Sequence, residues 1–403
     1  MQGIVFRNRA IWLLTTLLLA LFSINKTNIT GSYFLLAISI IIFFIDYKKP
    51  GGYFNFLFGK FQLHVFLFSC FCFASVFWAI NAADCIEKGI TIISILICMS
   101  ILIRHYRYRN NGVGLLLKSI MWGGMIVALY TFFFTGISSV TSTVEDGGRM
   151  DSTFDNVNDI AFFCAISIII AFYYFIFQKE TTYIVFSVPT LFILAGASSR
   201  TAFVVLFLGI VSLLFIKNVK FKNAQSFLRL ICVCILLILF IRVLITLPIF
   251  SGVMTRMEGV TNLLSGEGDV DHSTLLRQEY ALIGLSLFLE NPIVGIGMGN
   301  AHIVNLNTTG HDAYLHNNFI ELLASGGIIG FLLFYFIEFY IIFKIIKMRY
   351  YNSSQGKLLL ILLFCFLLED FGTVSYYSKF LYFFLMVCYL FIENENKLLK
   401  KTN

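Results

Sequence analysis

Three of the six histidines lie in one polar stretch between apolar runs: His302, His311 and His316. Histidine titrates nearest to neutral pH, so a general base that removes a proton is the first chemistry to expect. The spacing differs from the HExxH pattern of zinc enzymes, and we expect no bound metal. If the turn between Asp312 and His316 is helical, the Asp312 carboxylate can orient the His316 imidazole. The alternative is a histidine without chemistry at a membrane interface.

Three arginines in the loops or at the ends of apolar runs suit an anionic ligand: Arg200, Arg256 and Arg277. The planar guanidinium donates two parallel hydrogen bonds to a phosphate. Arg200 lies in AGASSRTAF, between two apolar runs, where a charge is costly unless it faces a partner or a wet cavity. The alternative is an arginine whose guanidinium only reaches the lipid headgroups.

Two further patterns could support an anion. The glycines of GIGMGN, which include Gly297 and Gly299, could bring backbone N–H groups close to a phosphate. Asn318 and Glu321 have the spacing of a capping box, with Asn318 as N-cap and Glu321 at the third helical position. The positive end of that helix would then lie beside His316 and favour an anion.

The composition decides what kind of chain carries these residues. Of the 403 residues, 59% are apolar and 13% are charged, whereas a soluble domain carries about 25% charged residues. This excludes a water-soluble globule. The net charge of +7 comes from short Lys and Arg clusters between apolar runs, so no nucleic acid is expected as a partner. Repeated runs of about 20 apolar residues predict an all-α, polytopic protein embedded in the lipid bilayer.

Twelve apolar runs are candidates for transmembrane helices. They lie at about 10–25, 32–46, 61–80, 86–103, 113–135, 158–178, 182–197, 199–217, 227–250, 317–346, 357–373 and 376–392. With the N-terminus in the cytoplasm, eight of the 29 Lys and Arg fall on the outer side and the other 21 on the inner side, as the positive-inside rule requires. The outer eight are Lys26, Lys88, Arg149, Arg200, Arg242, Arg256, Arg277 and Lys379.

Two connections are long, at about 136–157 and 251–316, and both fall outside. The second has a helical pattern from Ser273 to Glu290, which Asn291-Pro292 ends. The chain therefore divides into helices 1–9 (residues 1–250), an extracytoplasmic loop with an amphipathic helix between helices 9 and 10 (251–316), and helices 10–12 with a cytoplasmic tail (317–403).

The stretch from Arg277 to Gly330 resembles the signature of the bacterial O-antigen polymerase and O-antigen ligase superfamily. The elements that carry the resemblance are Arg277, NPIVGIGMGN and HNNFIELLASGGIIG. Ser199-Arg200 and the stretch RMDSTFDNVNDIA are similar to further segments of that superfamily.

This resemblance implies a glycosyltransferase of the bacterial inner membrane that takes a glycan from undecaprenyl diphosphate. It implies an active site on the periplasmic face, no cofactor, and His316 as the catalytic residue. Arg200, Arg277 and Arg256 are the implied diphosphate-binding residues. Supporting positions are Asp312, Gly297, Gly299, Asn317 and Glu321. The implied partners are the lipid-linked oligosaccharide and a chain-length regulator protein.

Three functions stay open at this point. The first is a Wzy-type polymerase of O-antigen or capsule repeat units. The second is an O-antigen ligase that transfers glycan to lipid A core or to a protein. The third is a transporter of lipid-linked glycans, which would need ionisable residues deep within its spans, whereas the charges here collect toward one face.

The topology makes a direct prediction. Asp269→Cys should react with an impermeant thiol reagent in intact spheroplasts, because residues 251–316 are expected outside. Asn352→Cys should stay protected until the membrane is opened. Labelling of Asn352→Cys together with protection of Asp269→Cys would contradict the topology and the outer location of the site.

Overall fold

A computed structural model of the protein describes residues 2–24, 29–46, 59–107, 109, 111–136, 150, 156–218, 257 and 272–402. Within these ranges the chain is helical and has no β-strand. The α-helices are α1 (Gln2–Ile24), α2 (Ile29–Asp46), α3 (Lys60–Ala74), α4 (Ala82–Tyr106), α5 (Gly112–Thr135), α6 (Val157–Gln178), α7 (Thr182–Phe186), α8 (Val188–Gly196), α9 (Arg200–Asn218), α10 (His272–Glu290), α11 (Ala301–Thr309), α12 (Asn318–Lys347), α13 (Ser354–Glu369) and α14 (Lys379–Thr402).

Six of the described helices are long and apolar enough to cross a membrane: α3 with its following turn, α4, α5, α6, α9 and α12. The prediction of an all-helical protein of the membrane type is confirmed. The count of twelve spans stays a prediction, and the ninth run, at 227–250, lies outside the described residues. The seventh run forms two short helices that meet at Ser187, with Pro189 in the first turn of the second.

The centre of the protein consists of α6 and α14. Nearly every residue from Ile160 to Tyr174 and from Leu381 to Ile392 is buried. A helix that is apolar on all its faces must be surrounded by other helices. Accordingly α6 packs against α5, α8 and α9, and α14 packs against α4 and α12.

Polar side chains fix where several helices begin. The side chains of Asn81, Asn156, Asn317 and Ser353 accept hydrogen bonds from backbone N–H groups in the first turns of α4, α6, α12 and α13. Such N-cap residues satisfy N–H groups that have no partner within the helix. In the sequence, a single polar residue ahead of an apolar run therefore marks where each of these helices begins.

The helix α12 is broken at Gly327, whose φ is +58° and ψ is −164°. In an unbroken helix the N–H groups of Ile328 and Ile329 would donate to the carbonyls of Ala324 and Ser325. The break separates these two donors from these two acceptors. It does so in a buried part of a membrane-type helix, and inside a bilayer no water is available to satisfy such groups.

Residues 292–297, called the joint from here on, dock into this break. The two separated carbonyls accept hydrogen bonds from the N–H groups of Ile296 and Gly297, at 3.0 Å each. The two separated N–H groups donate to the carbonyls of Pro292 and Ile293, at 2.9 and 3.2 Å. The joint thus replaces the hydrogen bonds that the break removes, and it fixes the chain that follows α10 to the middle of α12.

The predicted helix at 273–290 is present as α10, which ends at Glu290 just before the joint. Within the joint, position 295 requires glycine for two reasons. The φ of Gly295 is +65°, which L side chains rarely adopt. A Cβ there would lie 2.5 Å from the carbonyl carbon of Ser325, so the backbone of one of the two segments would have to move.

The joint predicts that substitution by alanine costs more stability at Gly295 than at Gly310, although the two glycines have similar φ. Gly310 has φ +77° and no atom within 4 Å of a built Cβ, so Gly310→Ala should cost only the left-handed strain, about 1–2 kcal/mol. Gly295→Ala carries the same strain and must also displace backbone. Thermal unfolding in detergent should show a clearly larger drop in Tm for Gly295→Ala. Equal drops would contradict a close backbone contact at the joint.

Candidate functional site

His316 lies in the short connection between α11 and α12. Its φ is +54°, an uncommon backbone conformation for a residue other than glycine. The half-buried imidazole packs on the ring of Tyr280 from α10, with centroids 6.0 Å apart and planes 10° apart. It also packs on the ring of Tyr314, with centroids 4.3 Å apart. A strained backbone and two aromatic contacts give the ring one defined orientation.

The residue that caps α12 is Asn317, which corrects the prediction of Asn318. The side-chain oxygen of Asn317 accepts from the N–H of Ile320 at 3.1 Å. Asn318 is the first helical residue, and Glu321 therefore stands one position later than the capping box requires. Other first-turn N–H groups also have protein acceptors: that of Asn318 donates to the carbonyl of Asp370, and that of Glu321 to the carbonyl of Asn317. An anion at this helix end would have to rely on the dipole and on nearby cations.

Asn318 instead anchors α12 to the connection between α13 and α14. Its side-chain oxygen accepts from the N–H groups of Ser375 and Tyr376, at 2.9 and 3.0 Å. Its side-chain nitrogen donates to Tyr335, at 2.9 Å, and to Asp370, at 3.4 Å. All these groups are buried. Each bond would be costly to break, because a buried polar group without a partner loses its solvation. The position of His316, two residues earlier, depends on this anchor.

Glu321 holds the segment that leads to His316. Its buried carboxylate accepts from the N–H of Leu315 at 3.0 Å and from the hydroxyl of Ser325 at 3.2 Å. Leu315 directly precedes His316, and Ser325 provides one of the carbonyls bound by the joint. One carboxylate therefore links the His316 connection to the break in α12.

The arginine Arg200 reaches α10 from the start of α9. Its guanidinium donates to the hydroxyl of Thr274 at 2.8 Å and to that of Ser273 at 3.5 Å. Arg277 lies three to four residues after these hydroxyls, and Tyr280 lies three residues after Arg277. Residues with this spacing share one face of a helix. A stripe about 9 Å long therefore runs along α10 from the Arg200 contacts, past Arg277, to the ring that packs on His316.

The stripe is held against α12 by close packing. A Cβ built on Gly284 of α10 would lie 2.6 Å from the Leu315 side chain, and it would also meet Ile320. Tyr280 and Leu315 belong to one small apolar cluster beneath the connection. Asn156, the cap of α6, adds a contact from another side by donating to the hydroxyl of Tyr314 at 3.0 Å.

The glycine run has a structural use that occupies several of the N–H groups expected to cradle a phosphate. Within it, the N–H of Gly295 donates to Asn291, and those of Ile296 and Gly297 donate across the break. Gly299, with φ +82°, leaves space for the Lys88 side chain. The fully buried Asn300 that ends the run accepts from the N–H of Asn81 and donates to its carbonyl. The run fastens the connection after α10 to α12 and to the start of α4.

Asp312 does not reach His316, which corrects the expected pairing. Residues 311–315 form no helical turn, and Asp312 lies 2.7 Å from Nδ1 of His302. The Nε2 atom of His302 lies 3.2 Å from Asp84 at the start of α4. Burial lowers the pKa of His302, but hydrogen bonds to Asp312 and then Asp84 outweigh it, so the pKa is raised from 6.5. His302 thus links the connection between α11 and α12 to α4.

The remaining predicted residues are distributed as follows. His311 is exposed at the start of the connection, away from the contacts of His316 described above. Arg256 lies outside the described residues. In the described part of the chain, no group of three or more His, Cys, Asp or Glu side chains is placed to hold a metal ion. The structure therefore groups Arg200, Arg277, His316, Asn317 and Glu321 around α10 and the start of α12.

Sequence reasoning missed several residues that build this site. In the sequence Tyr280 is only one position of the helical pattern at 273–290, and no pattern marks Tyr314. Asp370 carries a weak signal, because it is an acidic residue at the end of an apolar run. The pairing of Asn300 with Asn81 joins residues more than 200 positions apart, and no local pattern marks it.

A comparison with protein families shows which family the residues of this site resemble. The family model Wzy_C, described as O-Antigen ligase, matches residues 183–335. The matched range runs from α7 into α12 and includes Arg200, Arg277 and His316. It confirms the resemblance to the O-antigen polymerase and ligase superfamily. No curated protein matches the chain.

The contacts of His302 predict a pH-dependent contribution to stability. Because its folded pKa is raised above 6.5, the contribution is full below pH 6.5 and is lost as the pH rises through the raised value. The gap in Tm between the wild type and His302→Gln should therefore be larger at pH 5.5 than at pH 8.5. His311→Gln, at an exposed site, is the matched control. A gap that grows with pH would contradict the two carboxylate contacts.

Proposed function

We propose that this protein, whose residues 183–335 match the O-antigen ligase family, is a membrane glycosyltransferase that polymerises surface polysaccharide. It would transfer a glycan from undecaprenyl diphosphate to a hydroxyl of a lipid-linked acceptor sugar. The observation that carries the proposal is the stripe on α10, which connects the Arg200 contacts and Arg277 with the ring of His316. Arg277 on this helix, with Arg200 and His316 in contact with the same helix, suits a reaction that deprotonates a hydroxyl and releases a diphosphate.

In this reaction the acceptor oxygen forms a bond to the sugar C1 as the bond from C1 to the diphosphate breaks. His316 would take the proton of the attacking hydroxyl. Arg200 and Arg277, with Arg256 as a further candidate, would bind the diphosphate. Arginines already in place stabilise the negative charge that develops on the leaving group without reorganising during the reaction. No step needs a nucleotide, because the diphosphate ester supplies the energy, and the arginines take the charge-stabilising role that a metal would otherwise have.

The enzyme would lie in the bacterial inner membrane with this site on the periplasmic face. That placement is supported by the distribution of Lys and Arg, which puts the connection between α11 and α12 outside. A chain-length regulator protein is the proposed partner. In this arrangement the lipid of the donor stays in the bilayer while the sugars meet His316 at its surface.

Ligase activity is the second candidate, because the matching family model is described as O-Antigen ligase. The two functions differ in the acceptor. Purified protein given only lipid-diphosphate-linked repeat units should lengthen them if it is a polymerase. A ligase should leave them unchanged until lipid A core, or an acceptor protein, is added. Lack of transfer to any of these acceptors by folded protein would contradict both.

The role of His316 predicts a large loss of transfer. His316→Ala should lower the rate by about 10²–10⁴-fold, the usual contribution of a general base. Cells should then accumulate unpolymerised lipid-linked repeat units on a glycan gel. His311→Ala, at the exposed site five residues earlier, should give a normal ladder. A normal ladder from His316→Ala would show that His316 is not the base.

The proposed role of the arginines predicts that alanine variants lose more transfer activity than lysine variants. Arg200→Ala and Arg277→Ala should abolish transfer while the protein remains in the membrane. The Lys variants should restore only part of the activity, because an ammonium group lacks the bidentate geometry of a guanidinium. An assay across donor concentrations should show weaker donor binding in the Lys variants. Full activity of Arg200→Ala would mean that Arg200 only ties α9 to α10.

A further inference from the structure

A groove separate from the His316 site lies between α3 and the part of α12 that follows the break. Its cavity is about 660 Å³, within the usual range of ligand sites. The wall is apolar and exposed: Leu63 and Leu67 of α3 face it, as do Leu332 and Phe336 of α12. Both helices are of the membrane-crossing type, so this groove opens toward lipid.

The polar groups within the groove are already used. The Nε2 atom of His64 lies 2.5 Å from the carbonyl oxygen of Leu333, across the gap between the two helices. The ring of His64 stacks on Phe336, with centroids 5.0 Å apart. The middle of the groove is therefore an apolar channel, suited to a hydrocarbon chain.

Two cations lie near the end of the groove at Tyr340: Lys60, which lines the groove, and Lys344, which contacts the Tyr340 ring. The Nζ atoms of Lys60 and Lys344 lie 5.2 and 5.9 Å from the centroid of the Tyr340 ring. Among the described residues neither lysine forms an ion pair. Lys60 is also the first residue of α3, so the positive end of that helix adds to the charge. This end favours an anionic group such as a phosphate.

The dimensions fit one leaflet of a bilayer. From Ile329 to Tyr340 the groove follows eleven residues of α12, or about 16 Å of helix. That is roughly half of a hydrocarbon core about 30 Å thick. The Tyr340 ring, near both ammonium groups, lies about 20 Å of helix after Gly327, toward the end of α12 opposite His316. The donor diphosphate, which must reach His316, cannot also lie here.

We propose that this groove binds one anionic phospholipid of the cytoplasmic leaflet. Its phosphate lies between Lys60 and Lys344, and one acyl chain lies along the apolar channel toward Ile329. The lipid would bridge α3 to the second half of α12. The proposal goes beyond the glycosyltransferase reaction and rests on the proposed topology for the choice of leaflet.

Native mass spectrometry of the purified protein tests this, with palmitoyl-oleoyl phosphatidylglycerol and phosphatidylcholine as competing probes. The wild type should retain phosphatidylglycerol preferentially. In the double variant Lys60→Gln/Lys344→Gln, the ratio of bound phosphatidylglycerol to bound phosphatidylcholine should fall by about fivefold for each lysine removed. Lys347→Gln is the matched control, since Lys347 lies on the same helix end but contacts Phe343 instead. It should keep the preference.

A second variant separates binding from folding. Leu332→Trp fills the groove while both lysines remain, and it should lower retention of both lipids. Equal retention of the two lipids by the wild type, or an unchanged preference in the double variant, would overturn the proposal. So would displacement by glycerol phosphate as effective as displacement by phosphatidylglycerol, which would indicate a free phosphate site. Cross-linking of two chains through cysteines placed in the groove would identify a second copy as the occupant.

Discussion

Within a bilayer, backbone N–H and carbonyl groups must find their partners in the protein itself. The break in α12 at Gly327 leaves two donors and two acceptors without their helical partners, and residues 292–297 satisfy all four. This one exchange of hydrogen bonds determines where the connection after α10 can lie. It also shortens the first part of α12 to a few turns, so that its N-terminal end is oriented independently of the rest of the helix.

The site is a consequence of that joint. Once the chain after α10 is fixed to α12, α10 itself must pack beside the start of α12, as the close approach at Gly284 shows. Tyr280 then reaches His316, and the hydroxyls at the start of α10 reach Arg200. Glu321 and Asn318 keep the connection and the helix start in place from within the buried part of the protein. The proposed chemistry is thus carried by Arg277 on one face of α10 and by two residues that contact α10, Arg200 and His316.

The sequence was sufficient for the helical class, for the extent of α10 and for the resemblance to the superfamily, because these follow from local hydropathy and from a contiguous motif. It was misleading where a residue's role depends on distant partners. Asn318 looks like a cap, yet its partners lie at 335, 370, 375 and 376. Asp312 precedes His316 by one helical turn, yet no turn forms and the carboxylate contacts His302. The glycines resemble a phosphate loop, yet the N–H groups of Ile296 and Gly297 within that run donate across a helix break that a local pattern does not reveal.

The central claim is that this scaffold holds one imidazole, that of His316, as the base beside a diphosphate site. Chemical rescue tests it most directly. His316→Gly leaves a ring-sized space beside Tyr280 and Tyr314, and free imidazole should enter it and restore glycan transfer in a saturable manner. Rescue should increase with the neutral fraction of imidazole and should be absent from Arg200→Ala, which retains its own histidine. A folded His316→Gly protein that imidazole does not rescue at any pH, or an equal response from Arg200→Ala, would contradict the account.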